Sequence, residues 1–179
     1  MLRSLGYLTG GNTATRIDGP RADPKERIAI VNRLERAVEL MGANRHGQAV
    51  VLLEALAVEE SESSQILNRL GESLLATGQY GRAATIYRQL VQLTPEDEIP
   101  LVNLGSIAIT RKEHEKAVDC FERALAINPR QVEALLNLGY LNQRVLFNRK
   151  KAKEYYRRFL EAAPNDPQAG KIRSLLDQF

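Results

Sequence analysis

Two asparagine side chains could bind the backbone of another polypeptide. Asn103 and Asn137 each stand in the string NLG, and the interval between them is 34. A side-chain amide can donate and accept hydrogen bonds at once, so it suits an extended peptide whatever that peptide's sequence. The same interval counted backwards reaches Arg69 and Glu35, so the row of amides stops at two. These residues are the first candidates for a binding site, although asparagine is also common at such positions without a binding role.

The remaining reactive side chains form no pattern typical of an enzyme or a metal site. Cys120 is the single cysteine, which excludes an internal disulfide and a cysteine-based zinc site. His46 and His114 are separated by twice the interval between the asparagines, which is too far for a shared metal ion in a regular repeat. No Ser–His–Asp set, glycine-rich phosphate loop or carboxylate pair stands out. The sequence therefore predicts a non-catalytic protein without a metal, a cofactor or a small-molecule substrate.

Positive charge is concentrated towards the C-terminal end. The whole chain has 25 basic and 22 acidic side chains, whereas residues 144–173 hold nine basic and three acidic ones. The densest basic run, residues 149–158, could meet an acidic protein, a phosphate backbone or an anionic membrane. No nucleic-acid motif accompanies the run, so a solvated outer helix face is the favoured interpretation. Nucleic-acid and membrane partners are therefore not expected, and anion binding by this basic C-terminal face remains the alternative function.

The interval between the two asparagines recurs along most of the chain. Gly71, Gly105 and Gly139 follow one another at this interval, and Ala37 stands one interval earlier. A large residue follows each of these small ones at a matched position, one place later in the last unit: Leu53, Tyr87, Phe121 and Tyr156. Small and large residues at matched positions indicate two helices that approach closely, with the large side chain filling the space beside the contact. The second, third and fourth units end near a proline, at Pro95, Pro129 and Pro164, and Ser61 holds the equivalent place in the first.

This pattern resembles the tetratricopeptide repeat. The best copy reads LVNLGSIAITRKEHEKAVDCFERALAINP, residues 101–129. The resemblance implies an all-α, right-handed superhelical solenoid of four helix pairs, because a single pair cannot bury its apolar face without a stacked neighbour. It predicts a flexible N-terminal segment at residues 1–23, repeats over 24–166 and a C-terminal capping helix at 167–179. The four repeats are expected at about 24–63, 64–97, 98–131 and 132–166.

Prolines and caps predict where the first and last helices begin. Asp23, Pro24 and Glu26 read as an N-cap, a first-turn proline and a capping box. Asp166 and Pro167 repeat the cap and the proline before the final helix. The fourth unit carries one extra residue in its inter-helix turn, residues 145–147. Exposed, this apolar turn would form a knob suited to dimerisation; folded inward, it would only extend the fourth pair.

The resemblance also predicts a binding groove on the concave face, lined by the first helix of each pair. A helical wheel places Leu101 and Gly105 against the partner helix and Asn103 on the opposite side. We therefore expect a protein or peptide partner in this groove, either a peptide or a helix. Packing against neighbouring repeats is the alternative role for the same residues. The candidates are Asn68, Arg69, Glu72, Ile99, Val102, Asn103, Ser106, Leu136, Asn137, Tyr140 and Arg144.

Some members of the family hold the C-terminal tail of heat-shock chaperones in a carboxylate clamp. The clamp needs a lysine and an asparagine in the first helix of a three-repeat set. Counted from the first repeat, these places hold Leu34 and Val38, and counted from the second they hold Asn68 and Glu72. The clamp is therefore missing, and chaperone-tail binding is not expected.

A second resemblance lies before the repeats. The string LRSLGYL at residues 2–8, followed by glycines and DPK at residues 23–25, is similar to the end of bacterial sulfatase-type domains that continue into tetratricopeptide repeats. It implies a C-terminal accessory region of a sulfatase-like enzyme, without catalytic residues of its own. Under this interpretation the protein is exported with its parent, whereas a chain complete in itself is expected in the cytoplasm.

Overall fold

A computed structural model describes residues 24–178, which form nine helices without a strand. The helices are α1 (Pro24–Gly42), α2 (His46–Glu59), α3 (Ser64–Ala76), α4 (Tyr80–Leu93), α5 (Ile99–Thr110), α6 (His114–Ile127), α7 (Val132–Arg144), α8 (Arg149–Ala162) and α9 (Ala169–Asp177). Helix α1 is described from Pro24 onward, so the predicted start of the first helix there stays a prediction. The flexible segment at 1–23, the sulfatase-like junction, the Asp23 cap and the Glu26 side chain lie outside the described residues and stay predictions.

Contacts between helices run mainly from each helix to the next along the chain, from α1 with α2 to α8 with α9. The apolar core follows the same order. One buried cluster runs from α1 to Ile107 of α5, and a second runs from α5 to α9. This arrangement is a helical solenoid, in which each pair buries the apolar face of its neighbour. The predicted all-α repeat architecture is confirmed.

Close helix approach explains the repeated glycines. A Cβ atom added at Gly105 would lie 2.7 Å from Cε1 of Phe121, and one added at Gly71 would lie 2.7 Å from Cζ of Tyr87. Such distances are shorter than real Cβ contacts, so the rings fill the space that a side chain would need. Gly139 has the same relation to the ring of Tyr156.

The inter-helix turns share one backbone feature. Each of the four turns contains a residue in the left-handed region: Asn44, Gly78, Lys112 and Phe147, with φ of 57°, 72°, 60° and 51°. The last of these stands one place beyond the regular interval, so the extra residue of the fourth unit is absorbed before Phe147. Val145 is half-buried against the second cluster, whereas Leu146 and Phe147 are exposed. Val145 therefore follows the predicted alternative of a turn folded inward, whereas Leu146 and Phe147 follow the alternative of an exposed apolar turn.

The last helix covers the end of the second cluster. Ala169 and Ile172 of α9 are buried there, as expected of a capping helix. The helix begins at Ala169, slightly later than the predicted start at Pro167. Asp166 does not cap it directly, because its carboxylate accepts a hydrogen bond at 2.8 Å from the N–H of Gln168, in the turn before the helix.

Candidate functional site

The predicted groove residues of the second repeat lie on the open side of α3. Asn68, Arg69 and Glu72 are half-buried, whereas Leu67 and Leu70 on the opposite side are buried. Arg69 donates a hydrogen bond to the carboxylate of Glu72 at 3.2 Å, one helical turn away. The two charges therefore compensate one another on the helix surface.

The corresponding side of α7 is the most open part of the predicted groove. Leu136 and Asn137 are half-buried, and the side chain of Tyr140 is 51% exposed. Leu135 and Leu138 point to the core and are fully buried. The helix therefore has one apolar side inside the solenoid and presents an aromatic ring and an amide on the other.

The middle of α5 differs from α3 and α7. Val102 is 0% exposed and Asn103 is 4% exposed, so the expectation that they line an accessible face is wrong. Ile99 and Ser106, at the two ends of the same side, are half-buried. The equivalent residues of α3 and α7 are half-buried, so this burial is confined to α5. Asn137 therefore keeps an accessible surface that Asn103 lacks.

A hydrogen bond connects α5 and α7 across this side of the molecule. The Ser106 hydroxyl donates to Oε1 of Glu133 at 3.1 Å. Burial raises the pKa of the Glu133 carboxyl, and the Ser106 hydrogen bond opposes that shift only in part. The start of α7 is fixed by Gln131, whose side-chain oxygen accepts from the N–H groups of Glu133 and Ala134 at 2.8 and 3.3 Å.

Glu133 holds the place in α7 that Ile99 holds in α5, so the repeat spacing alone places it on the groove side. It lies one helical turn before Asn137 and therefore on the same side of α7. That four-residue spacing is visible in the sequence and indicates that the two side chains share one side of the helix. Its contact with Ser106 joins two helices that are distant in sequence, and this contact is visible only in the folded chain.

The basic run of residues 149–158 is partly engaged in the fold. Arg158 donates to the carbonyl of Pro129 at 3.2 Å and lies 5.8 Å from the centre of the Tyr155 ring. Lys151 pairs with Glu122 at 3.9 Å. The contacts with Pro129 and Glu122 attach α8 to the third repeat, and they agree with the interpretation of the basic run as an outer helix face. Arg144, a predicted groove residue, lies at the end of α7 and lines a separate cleft with Arg149.

Within residues 24–178 no group of three His, Cys, Asp or Glu side chains is placed to hold a metal ion. His46 and His114 begin α2 and α6. Cys120 is half-buried, and burial raises the pKa of its thiol, so it is a poor nucleophile at neutral pH. In the same part of the chain, none of the helices has the length and apolar character needed to cross a membrane.

Solved structures with a similar fold share little sequence with this chain. The crystal structure of MamA protein has a TM-score of 0.71 at 18% identity, covering 83% of this chain and 85% of its own. The Arabidopsis OM64 TPR domain has a TM-score of 0.59 at 20% identity, covering 65% and 96%. The first TPR of Spaghetti (RPAP3), bound to the HSP90 peptide SRMEEVD, has a TM-score of 0.57 at 24% identity, covering 63% and 89%. These likenesses support the fold.

Family models agree with the internal spacing. Two tetratricopeptide repeat models match the chain, one over residues 34–98 and the other over residues 104–177. No curated protein sequence matches it. The two matches begin and end within or beside the helix pairs described above, and together they cover most of the described residues. The chain belongs to the tetratricopeptide repeat family and is a protein–protein interaction module built on that helical solenoid.

Proposed function

We propose that the open side of α3 and α7 binds a peptide or a helix of a partner protein, without catalysis. The observation that carries this proposal is Tyr140, a residue that is 51% exposed on a helix whose opposite side is buried. The half-buried Leu136 and Asn137 lie beside it on the same side of the helix. An exposed aromatic ring next to an apolar side chain and an amide is typical of residues that dominate binding energy in interfaces.

Each side chain has a distinct role in this proposal. Tyr140 and Leu136 supply the apolar contact, and the amide of Asn137 pairs with the partner's backbone. Glu133, held by Ser106 at 3.1 Å, accepts a hydrogen bond from the partner at the end of the groove. The buried pair Val102 and Asn103 support this surface from below and do not touch the partner.

The partner is not a chaperone tail in this proposal. The similar structure that holds an HSP90 peptide shares 24% identity with this chain, so the likeness carries the fold and not the ligand. The positions that a carboxylate clamp would use hold Leu34 and Val38, or Asn68 and Glu72. Neither pair offers the lysine needed to grip a terminal carboxylate.

A random-peptide display library selected on the intact chain tests the proposal. Selected peptides would be labelled, and their affinities measured by fluorescence anisotropy for the intact chain and for Tyr140→Ser. We expect Tyr140→Ser to weaken binding by about tenfold or more, as for a central aromatic anchor. Asn137→Ala should weaken binding by less, because one neutral hydrogen bond contributes only about 1 kcal/mol.

Tyr80→Ser is the matched control. Tyr80 is also a partly exposed tyrosine, but it begins α4 and lies outside the proposed groove. Binding should stay within about twofold of the intact chain in this variant, since peripheral residues contribute little. Equal losses in the two tyrosine variants, or no loss in Tyr140→Ser, would refute the groove.

We also propose a narrower role, which rests on the string at residues 2–8 and its similarity to sulfatase-type junctions. In this proposal the groove serves a sulfatase-like parent polypeptide as an accessory region, and the protein is exported. Mass spectrometry of the native polypeptide in its source cells provides the test. Peptides encoded upstream of Met1 and joined to this chain would support it, and a mature protein that starts at Met1 would refute it.

A further inference from the structure

The turn between α7 and α8 carries a residue that its backbone does not favour. Asn44, Gly78 and Lys112 hold the equivalent left-handed position in the other three turns, and Phe147 holds it here with φ of 51°. Glycine and asparagine tolerate this conformation well, whereas a bulky aromatic residue does not. The Phe147 side chain is also 80% exposed. Neither backbone geometry nor core packing therefore explains a phenylalanine at this position.

Phe147 lies at the edge of an open cleft of about 500 Å³. The cleft is formed by the end of α7, the following turn, the start of α8 and the end of α9. Its lining consists of Gln143, Arg144, Phe147, Arg149, Leu175 and Gln178. Gln143 is held in place because its side-chain oxygen accepts a hydrogen bond from the Tyr156 hydroxyl at 3.0 Å. The cleft therefore has one wall anchored to the core and one wall formed by the exposed ring.

The lining combines positive charge with apolar surface. Arg144 brings a guanidinium group to the cleft, and Phe147 and Leu175 provide apolar contacts next to it, while Arg149 lines the same cleft and already has a partner within the protein. The surrounding segment, residues 144–178, holds nine basic and four acidic side chains. A guanidinium group pairs with a carboxylate through two parallel hydrogen bonds, which an isolated surface lysine cannot match. The charge of the cleft is thus complementary to a carboxylate that stands beside an apolar side chain.

We infer that this cleft is a second docking site, which binds an acidic segment of a partner protein with an apolar residue next to its carboxylates. Of the predicted groove residues only Arg144 lines this cleft, and the inference does not depend on binding in the groove of α3 and α7. It assigns Arg144 to the cleft and explains why the fourth turn keeps an exposed aromatic ring in a strained backbone position. Binding would bury that ring against the partner's apolar residue.

The test uses the full chain, the variants Phe147→Asn and Arg144→Gln, and a displayed random-peptide library. Phe147→Asn restores the residue that the first turn carries at Asn44, so it should fold at least as well as the parent chain. Peptides that bind the parent chain but not Phe147→Asn should carry net negative charge and an apolar residue. Their affinity, measured by anisotropy, should fall by about tenfold in Phe147→Asn and about fivefold in Arg144→Gln, and it should weaken as salt rises.

Two control variants match the changes outside the cleft. Lys112→Asn changes the equivalent turn position of the third pair, and Arg157→Gln removes an exposed arginine of α8 that does not line the cleft. Both should leave affinity within about twofold of the parent chain.

Three results would overturn the inference. The first is that no selected peptide depends on Phe147, or that the dependent peptides carry no excess of acidic residues. The second is a dimer of the parent chain in sedimentation equilibrium that Phe147→Asn converts to a monomer, since a second copy would then occupy the cleft. The third is tighter binding of a duplex oligonucleotide than of any acidic peptide, lost equally in Arg144→Gln.

Discussion

The close contact between the two helices of a pair is made by different residues in the first pair and in the three pairs that follow. In the first pair, Ala37 and Leu53 occupy the positions of close approach, and both are fully buried. In the other pairs a glycine faces an aromatic ring, as Gly105 faces Phe121. Ala37 has a methyl group that glycine lacks, and its partner Leu53 is smaller than the aromatic rings of the other pairs. The comparison shows that the repeat keeps constant the volume shared by two positions and not the residue at either one.

The strongest way to break this equivalence is to place a methyl group where the ring already fills the space. Gly105→Ala should lower the free energy of unfolding by about 2 kcal/mol, because its Cβ would lie 2.7 Å from the Phe121 ring. Gly47→Ala is the matched control, since a Cβ there meets nothing within 4 Å in a helix of the first pair. That change should be neutral or stabilise by about 0.5 kcal/mol. Chemical denaturation followed by circular dichroism measures both, and similar losses in the two variants would contradict the packing explanation.

Transplanting the first pair's solution into the third pair sharpens the comparison. Gly105→Ala combined with Phe121→Leu recreates the pairing of Ala37 with Leu53. Each single change should destabilise, one by overpacking and the other by leaving a cavity, whereas the double variant should recover about 1–2 kcal/mol relative to their sum. A double-mutant cycle on unfolding free energies gives this coupling. Strict additivity would show that the two positions do not share a volume.

The smallest expected effect concerns a position at which the second pair departs from the third and fourth. Ser73 is fully buried, and its hydroxyl has no hydrogen-bond partner within residues 24–178, whereas the equivalent residues are Ile107 and Leu141. Ser73→Ala should raise the free energy of unfolding by about 0.5–1 kcal/mol, because a buried unpaired hydroxyl is removed. Ser61 is exposed, so Ser61→Ala should leave the free energy of unfolding unchanged. A loss of stability in Ser73→Ala would show that the hydroxyl is satisfied in solution.

The outcome at the two asparagines shows how far repeat position alone can predict a site. Asn103 and Asn137 have the same residue type, the same flanking string and equivalent places in their helices. Yet Asn103 is buried, whereas Asn137 stays partly open on α7. No local pattern encodes this difference in burial, which is visible only in the folded chain. Phe147 is a similar case, because its turn position could be counted from the spacing but its exposure could not.

The sequence by itself determined the repeat length, the helix pairing and the glycine–aromatic contacts, because each depends on residues that recur at one fixed interval. Only the tertiary structure decided which surface residues stay accessible and that α9 meets the fourth turn to form a basic cleft. The physical reason is that core contacts are made within a unit and its nearest neighbour, where size and periodicity suffice. Exposure and clefts depend on which helices and turns meet at each surface, and therefore on the whole folded chain.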